Sequence, residues 1–209
     1  MKISEIFYSI QGEGINTGMP TVFVRTSECN LRCNDCDTKY AYNSGKEMKI
    51  SQILKKIKMY NCKNICITGG EPLIQTEIYE LINKLFNEKY KIIIETNGSL
   101  SIKNIKKNKN ICVSLDIKTP SSKMHEKMDF SNINLLSKND QLKFIIKDRI
   151  DYDYSKNILK IYKPKTNVFF QPVWGTNIEF LAEWILNDSL NVKLGCQLHK
   201  LIWEDKKGH

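Results

Sequence analysis

With 209 residues the chain can bury one sizeable α/β core, and no apolar run approaches the roughly 18 residues that a membrane span needs. The net charge of +9 rests on 32 basic residues of which only Arg25, Arg32 and Arg149 are arginine; the lysines are scattered among asparagines without a phosphate-tracking cluster, which speaks against a direct nucleic-acid partner. Seven cysteines, an odd number, with no secretory segment ahead of them predict free thiols and a cytoplasmic protein.

Residues 3–10 are mildly apolar and lead into Gln11-Gly12-Glu13-Gly14, where the glycines suit either a hairpin turn or a close approach of backbone to a ligand. Thr21 to Arg25 is β-branched and aromatic and predicts a strand that delivers Arg25 and then a loop holding Cys29, Cys33 and Cys36. Three thiolates at this spacing can turn toward one soft metal centre. Structural zinc asks for four ligands, so a zinc knuckle would need Cys62 or His199 from afar, whereas an iron–sulfur cubane held by three cysteines leaves one iron open.

Ile50, Ile53, Leu54 and Ile57 fall at helical spacing and predict a helix over 49–60 with Ser51 as its cap. A strand over 64–68 runs into Gly69-Gly70-Glu71-Pro72, and a second helix starts near Gln75 with Ile78, Leu81, Ile82 and Leu85 on one face. This strand, glycine turn and helix place loop residues at the carboxyl end of a parallel sheet. Further strands are predicted over 91–95, 111–118, 141–146 and 167–172, with a helix over 179–186 and a last segment, 192–203, that contains Gln197-Leu198-His199-Lys200.

The alternation predicts an incomplete TIM-type barrel of about six parallel strands with outer helices, because a complete eight-unit barrel takes about 250 residues. The polar strand ends then face one mouth. Residues 121–139 read as a mobile insertion, Cys62, Cys66, Cys112 and Cys196 as packing residues, and His125 as solvated.

The cysteine triplet followed by a strand ending in Gly69-Gly70-Glu71-Pro72 resembles the radical S-adenosylmethionine (SAM) superfamily. Ser9 to Gly14, Cys36-Asp37-Thr38-Lys39-Tyr40-Ala41, Ser114 to Pro120 and Gln197 to Lys200 narrow the resemblance to the 7-carboxy-7-deazaguanine synthase (QueE) family, over nearly the whole chain. The resemblance implies one radical SAM domain over 1–209, with an N-terminal extension over 1–20 and a C-terminal tail over 197–209 near the mouth. It implies a lyase that converts 6-carboxy-5,6,7,8-tetrahydropterin to 7-carboxy-7-deazaguanine with loss of ammonia, in 7-deazapurine biosynthesis toward queuosine or archaeosine. The cofactors it implies are a 4Fe–4S cluster, SAM and Mg2+; the partners, a reductase such as flavodoxin or ferredoxin and a second copy in a homodimer, without a membrane.

Carried over by residue, the resemblance makes Cys29, Cys33 and Cys36 the cluster ligands and Thr38 the Mg2+ ligand. Gly69, Gly70, Glu71, Asn97, Ser114, Lys118 and Gln171 would contact SAM, with Glu71 as acceptor for its ammonium group. Gln11, Gly12, Glu13, Arg25, Thr68 and His199 would bind the pterin, Arg25 at its carboxylate, with Glu13 and His199 as candidate bases. The chain departs from the superfamily at Asp35, where an aromatic residue near the adenine is usual, and Tyr40 is the candidate substitute. Two other readings compete: an activase that makes a glycyl radical on a partner protein, and a zinc-dependent RNA-binding module.

Overall fold

The computed structural model describes every residue except Asp205, Lys207 and His209, so the part of the expected C-terminal tail that falls on those three lies outside the described residues. One nine-stranded sheet organises the chain. Its strands are β1 (Lys2–Ile10), β2 (Pro20–Thr26), β3 (Lys46–Glu47), β4 (Asn64–Gly69), β5 (Lys91–Thr96), β6 (Ile111–Ile117), β7 (Gln141–Ile146), β8 (Asn167–Pro172) and β9 (Lys193–Leu194), in the spatial order β3-β1-β2-β4-β5-β6-β7-β8-β9. From β2 onward every neighbouring pair is parallel, whereas β1 runs antiparallel to both β2 and β3. The six long parallel strands match the expectation, and the sheet stays open between β3 and β9, as a partial barrel does.

Strand alternation divides the side chains into two sets. Val22 and Val24, Ile65 and Ile67, Ile92 and Ile94, and Val113, Leu115 and Ile117 point to the main core. There they meet α1 (Ile50–Lys58), which buries Ile53 and Ile57, and α2 (Ile78–Asn87), which buries Ile78, Leu81, Ile82 and Leu85. Burial of each such side chain contributes roughly 1.5–3 kcal/mol. The opposite set, Phe23, Cys66 and Ile93, forms a small apolar plug inside the curve of the sheet, with Phe7 and Cys112 against it. Two residues further along the same strands stand Arg25, Thr68 and Glu95. The period of two therefore turns an apolar floor into a polar mouth at the carboxyl ends.

Several local expectations need correction. Lys49, not Ser51, holds the N-cap of α1, and the Gln52 side chain accepts the Lys49 N–H at 2.8 Å. Pro72–Ile74 forms a 3-10 turn, so the second helix begins only at Ile78. Residues 121–139 carry α3 (Ser131–Leu135) and are pinned in place. Ser121 donates from N–H (2.9 Å) and hydroxyl (2.5 Å) to Asp151, and the buried Asn132 amide donates to the carbonyls of Gly98 (3.2 Å) and Leu100 (2.9 Å).

Helix α4 (Arg149–Tyr162) was not legible as an apolar stripe because Asp151 and Ser155 share its buried face with Tyr152 and Ile158. It starts where Asp148 accepts the Asp151 N–H at 3.0 Å. Helices α5 (Ile178–Asn187) and α6 (Leu198–Trp203) complete the chain.

Candidate active site

The loop of three cysteines leaves β2 and is fixed by the end of β4. The Gly70 N–H donates to the Thr26 carbonyl at 3.1 Å and the Glu71 N–H to the Glu28 carbonyl at 2.8 Å. This approach is why glycine stands at both positions. A Cβ on Gly69 would lie 2.3 Å from the Thr26 carbonyl oxygen, and one on Gly70 1.8 Å from that of Glu28. The two glycines line the cavity as expected, but their missing side chains make room for the cysteine loop.

Glu71 is fully buried and does not line the cavity. Its carboxyl accepts from Leu73 N–H (3.1 Å), Thr96 hydroxyl (2.8 Å) and Asn97 N–H (2.7 Å), while burial pushes it up to about 7. In this arrangement Glu71 ties the end of β4 to the end of β5.

Cys29, Cys33 and Cys36 line one mouth as half-buried free thiols. Burial pushes the Cys29 and Cys33 thiols up, and the neighbouring cysteine sulfurs add to the effect, so the three are close enough to repel as thiolates. The Asn97 amide donates to Cys29 Sγ at 3.7 Å. Such a donor set fits an iron–sulfur cluster with one position left to another ligand, and among the described residues no three His, Cys, Asp or Glu side chains close around a single ion. Cys62 donates to the Pro20 carbonyl at 3.3 Å, at the far end of the sheet, and cannot complete a zinc site there.

The cavity behind the cysteines has a volume of about 470 Å3. It is lined by Gln11, Gly12, Glu13, Arg25, Thr38, Thr68, Asn97, Lys118, Gln171 and His199, as expected. Ser114 is excluded, being fully buried one step lower on β6, where its hydroxyl accepts from Gln141 Nε2 at 2.8 Å. Tyr40 is also outside the lining; its hydroxyl donates to Glu5 at 2.6 Å, and Tyr42 lines the cavity instead. Asp35 pairs with Lys147 at 3.0 Å across the mouth.

Within the cavity the polar residues are arranged by one another. Arg25 Nε donates to Glu5 at 2.7 Å, and its guanidinium lies over the Phe7 ring at 5.7 Å. Thr68 hydroxyl donates to Glu95 at 2.9 Å and Gln11 Nε2 to Glu95 at 3.3 Å. Thr38 hydroxyl donates to Asp37 at 2.6 Å and makes no capping bond, although the residue occupies an N-cap position. Lys118 pairs with Asp116 at 3.1 Å. Gln171 Oε1 is buried without a hydrogen-bond partner among the described residues.

Glu13 pairs with Lys143 and accepts from Gln197 Nε2 at 2.9 Å. Against burial, which alone would raise it, the Lys143 ammonium holds the Glu13 carboxyl down at about 2. A carboxylate so stabilised is a weak proton acceptor and a fixed acceptor of hydrogen bonds. Sequence reasoning missed Lys143, Asp116, Glu95 and Gln197. The signal was available for three of them: each is a charged residue inside an otherwise apolar strand, on the inward register.

The radical SAM superfamily model matches residues 23–168. The 7-carboxy-7-deazaguanine synthase of Thermoplasma acidophilum is 39% identical over 208 residues, covering 100% of both chains. That of Clostridium acetobutylicum is 39% identical over 220 aligned residues, covering 99% of this chain and 97% of its own. Among solved structures, QueE from Escherichia coli superposes with a TM-score of 0.76 at 22% identity, over 95% of this chain and 94% of that one. SuiB of Streptococcus suis, bound to S-adenosylmethionine, gives 0.57 at 17% identity over 83% of this chain and 46% of that one. The fold, the cysteine mouth and these full-length identities agree: the chain belongs to the 7-carboxy-7-deazaguanine synthase family of the radical SAM superfamily.

Proposed function

We propose that the enzyme contracts the ring of 6-carboxy-5,6,7,8-tetrahydropterin to 7-carboxy-7-deazaguanine with loss of ammonia, for queuosine or archaeosine biosynthesis. The observation that carries this reading is that the three cysteines and the set Gln11, Glu13 and Arg25 open on the same cavity. When bound, a 4Fe–4S cluster on Cys29, Cys33 and Cys36 together with SAM supplies the carbon radical that removes a substrate hydrogen.

The chain's own residues position the substrate. Arg25 takes the carboxylate, since its terminal nitrogens make no hydrogen bond among the described residues and form a planar fork. Ionised Glu13 and Gln11 read the aminopyrimidinone edge, and Thr68 lies beside them. Lys118, Asn97, Gly69, Gly70 and Gln171 line the part of the cavity that SAM would occupy. Thr38 offers an oxygen donor of the kind Mg2+ takes while keeping most of its water. His199 is a candidate base from the C-terminal tail.

A reductase such as flavodoxin or ferredoxin supplies the electron, and a second copy of the chain completes a homodimer. No helix among the described residues is long and apolar enough to cross a membrane. The test is anaerobic reconstitution with iron and sulfide, followed by assay with the carboxylated tetrahydropterin and no protein partner. Product should form with the native chain and not with Cys33→Ala, which should also lose the visible cluster absorbance. Turnover that needs a partner protein instead would favour the activase, and a colourless protein with stoichiometric zinc the RNA-binding module.

A further inference from the structure

A fully ionisable side chain stands at the centre of the cavity wall without a role in the reading above. Lys143, in the middle of β7, is only 3% exposed. Lysine is almost never buried so deeply unless paired. Its Nζ pairs with Glu13 from the β1–β2 connection, and with Asp116 Oδ1 of β6 at 3.3 Å. Asp116 in turn holds Lys118. The ladder Glu13, Lys143, Asp116, Lys118 thus runs from the pterin-reading side of the cavity to the side bearing Cys33.

We infer that Lys143 is a positioning residue: it fixes Glu13 as an ionised acceptor, so that the site accepts a flat heterocycle presenting paired N–H donors and rejects one presenting a carbonyl there. Three further contacts fix this stretch of chain, one of them on the carboxylate itself. Gln197 donates to its other oxygen at 2.9 Å. Gln141 accepts the Ile15 N–H at 2.8 Å, anchoring the turn just past Glu13. His199 packs so tightly on Gly12 that a Cβ there would lie 2.0 Å from Nδ1.

The charges facing this pair are few. Lys143 and His199 face Glu13, and Asp116, Glu95 and Lys118 face Lys143. Against the burial that would lower it, Asp116 and Glu13 hold the Lys143 ammonium well above its ordinary range, so the lysine stays charged. Remove that cation and Glu13 is a buried carboxyl, whose affinity for protons rises. Substrate binding must then depend on pH. It should be weak where Glu13 is protonated and recover as pH rises through its new pKa.

The test is Lys143→Met in reconstituted enzyme, with Lys143→Arg beside it. The KM for 6-carboxy-5,6,7,8-tetrahydropterin should rise about tenfold or more in Lys143→Met, the range expected when a hydrogen bond to a charged group is lost. Its kcat/KM should climb as pH rises through the raised pKa of Glu13, a limb that the native enzyme does not show from this group. Calorimetry with an analogue carrying a carbonyl in place of the 2-amino group should show that discrimination against it falls with Lys143→Met and returns with Lys143→Arg. A loss independent of pH and equal for both ligands would make Lys143 merely structural and overturn the inference, as would an unchanged KM. If Lys143→Met does not fold, the Glu13→Gln, Lys143→Met double variant decides: it should bind both ligands alike at all pH values, and retained discrimination would overturn the inference. The inference rests on Glu13 as reader of the pterin edge; failure of the native enzyme to bind the pterin would sink that reading, whereas failure of the Lys143 variants alone would not.

Discussion

Arg25 can take a carboxylate only if its fork faces the cavity, and Glu5 decides which nitrogen is turned away. The register shift between Ile3 and Glu5 on β1 aims that side chain at the Arg25 Nε, leaving the terminal nitrogens to the cavity. The same Glu5 oxygen accepts from Tyr40, which follows the cysteine loop closely in sequence, so one half-buried carboxylate joins that loop to the arginine. Replacing Glu5 by Gln keeps the shape and removes the charge. The KM for the carboxylated pterin should rise about tenfold, the equivalent of roughly 1.5 kcal/mol from a charged hydrogen bond, while SAM cleavage without substrate keeps its native rate. An unchanged KM would release Arg25 from dependence on Glu5. Arg25→Lys should fare worse, since an ammonium lacks the planar fork.

The end of β4 shows how one short element serves two tasks. Gly70→Ala places a methyl group against the Glu28 carbonyl, only 1.8 Å away, and one of the two chains must yield. Iron and sulfide bound per chain should fall by half or more; full occupancy would show that the loop tolerates the shift. Glu71→Gln tests the other task. The amide keeps one acceptor oxygen and turns its NH2 toward a donor, the Asn97 N–H or the Thr96 hydroxyl, which should cost about 1–3 kcal/mol in denaturant unfolding. Burial holds the native Glu71 carboxyl at about 7 against an ordinary 4.5, so across that window the folded chain keeps a proton that the unfolded chain sheds. The resulting stabilisation is complete below the lower value and is lost as pH rises through the upper one. This slope should vanish in Glu71→Gln. The glycine turn itself was legible from sequence, since strand, glycines and helix follow in order. The task of Glu71 was not, because its partners arrive from β5, 25 and 26 residues onward. Helix α4 escaped for a related reason: Asp151 is buried there by Ser121, a contact that no local periodicity announces.

At the scale of the molecule, the parallel order followed from alternating strands and helices, and the position of the mouth from the polar strand ends. What could not be read was how the two ends of the chain meet across it. The Leu198 N–H donates to the Gly12 carbonyl at 3.0 Å, Gln197 reaches Glu13, and the His199 ring fills the space that a side chain at residue 12 would need. The site is therefore covered on this side by the start of α6, which packs against the first turn of the chain. Removing residues 197–209 should leave the cluster intact, because Gly69, Gly70 and Glu71 hold its loop independently. Pterin KM should rise tenfold or more, since a shared set of buried polar contacts is lost, and SAM should be cleaved without product. Gly12→Ala should reproduce this pattern from the opposite end by displacing His199. The measurement is the ratio of 5′-deoxyadenosine to deazapurine formed by each variant; a native ratio in both would show that the two ends meet without holding substrate.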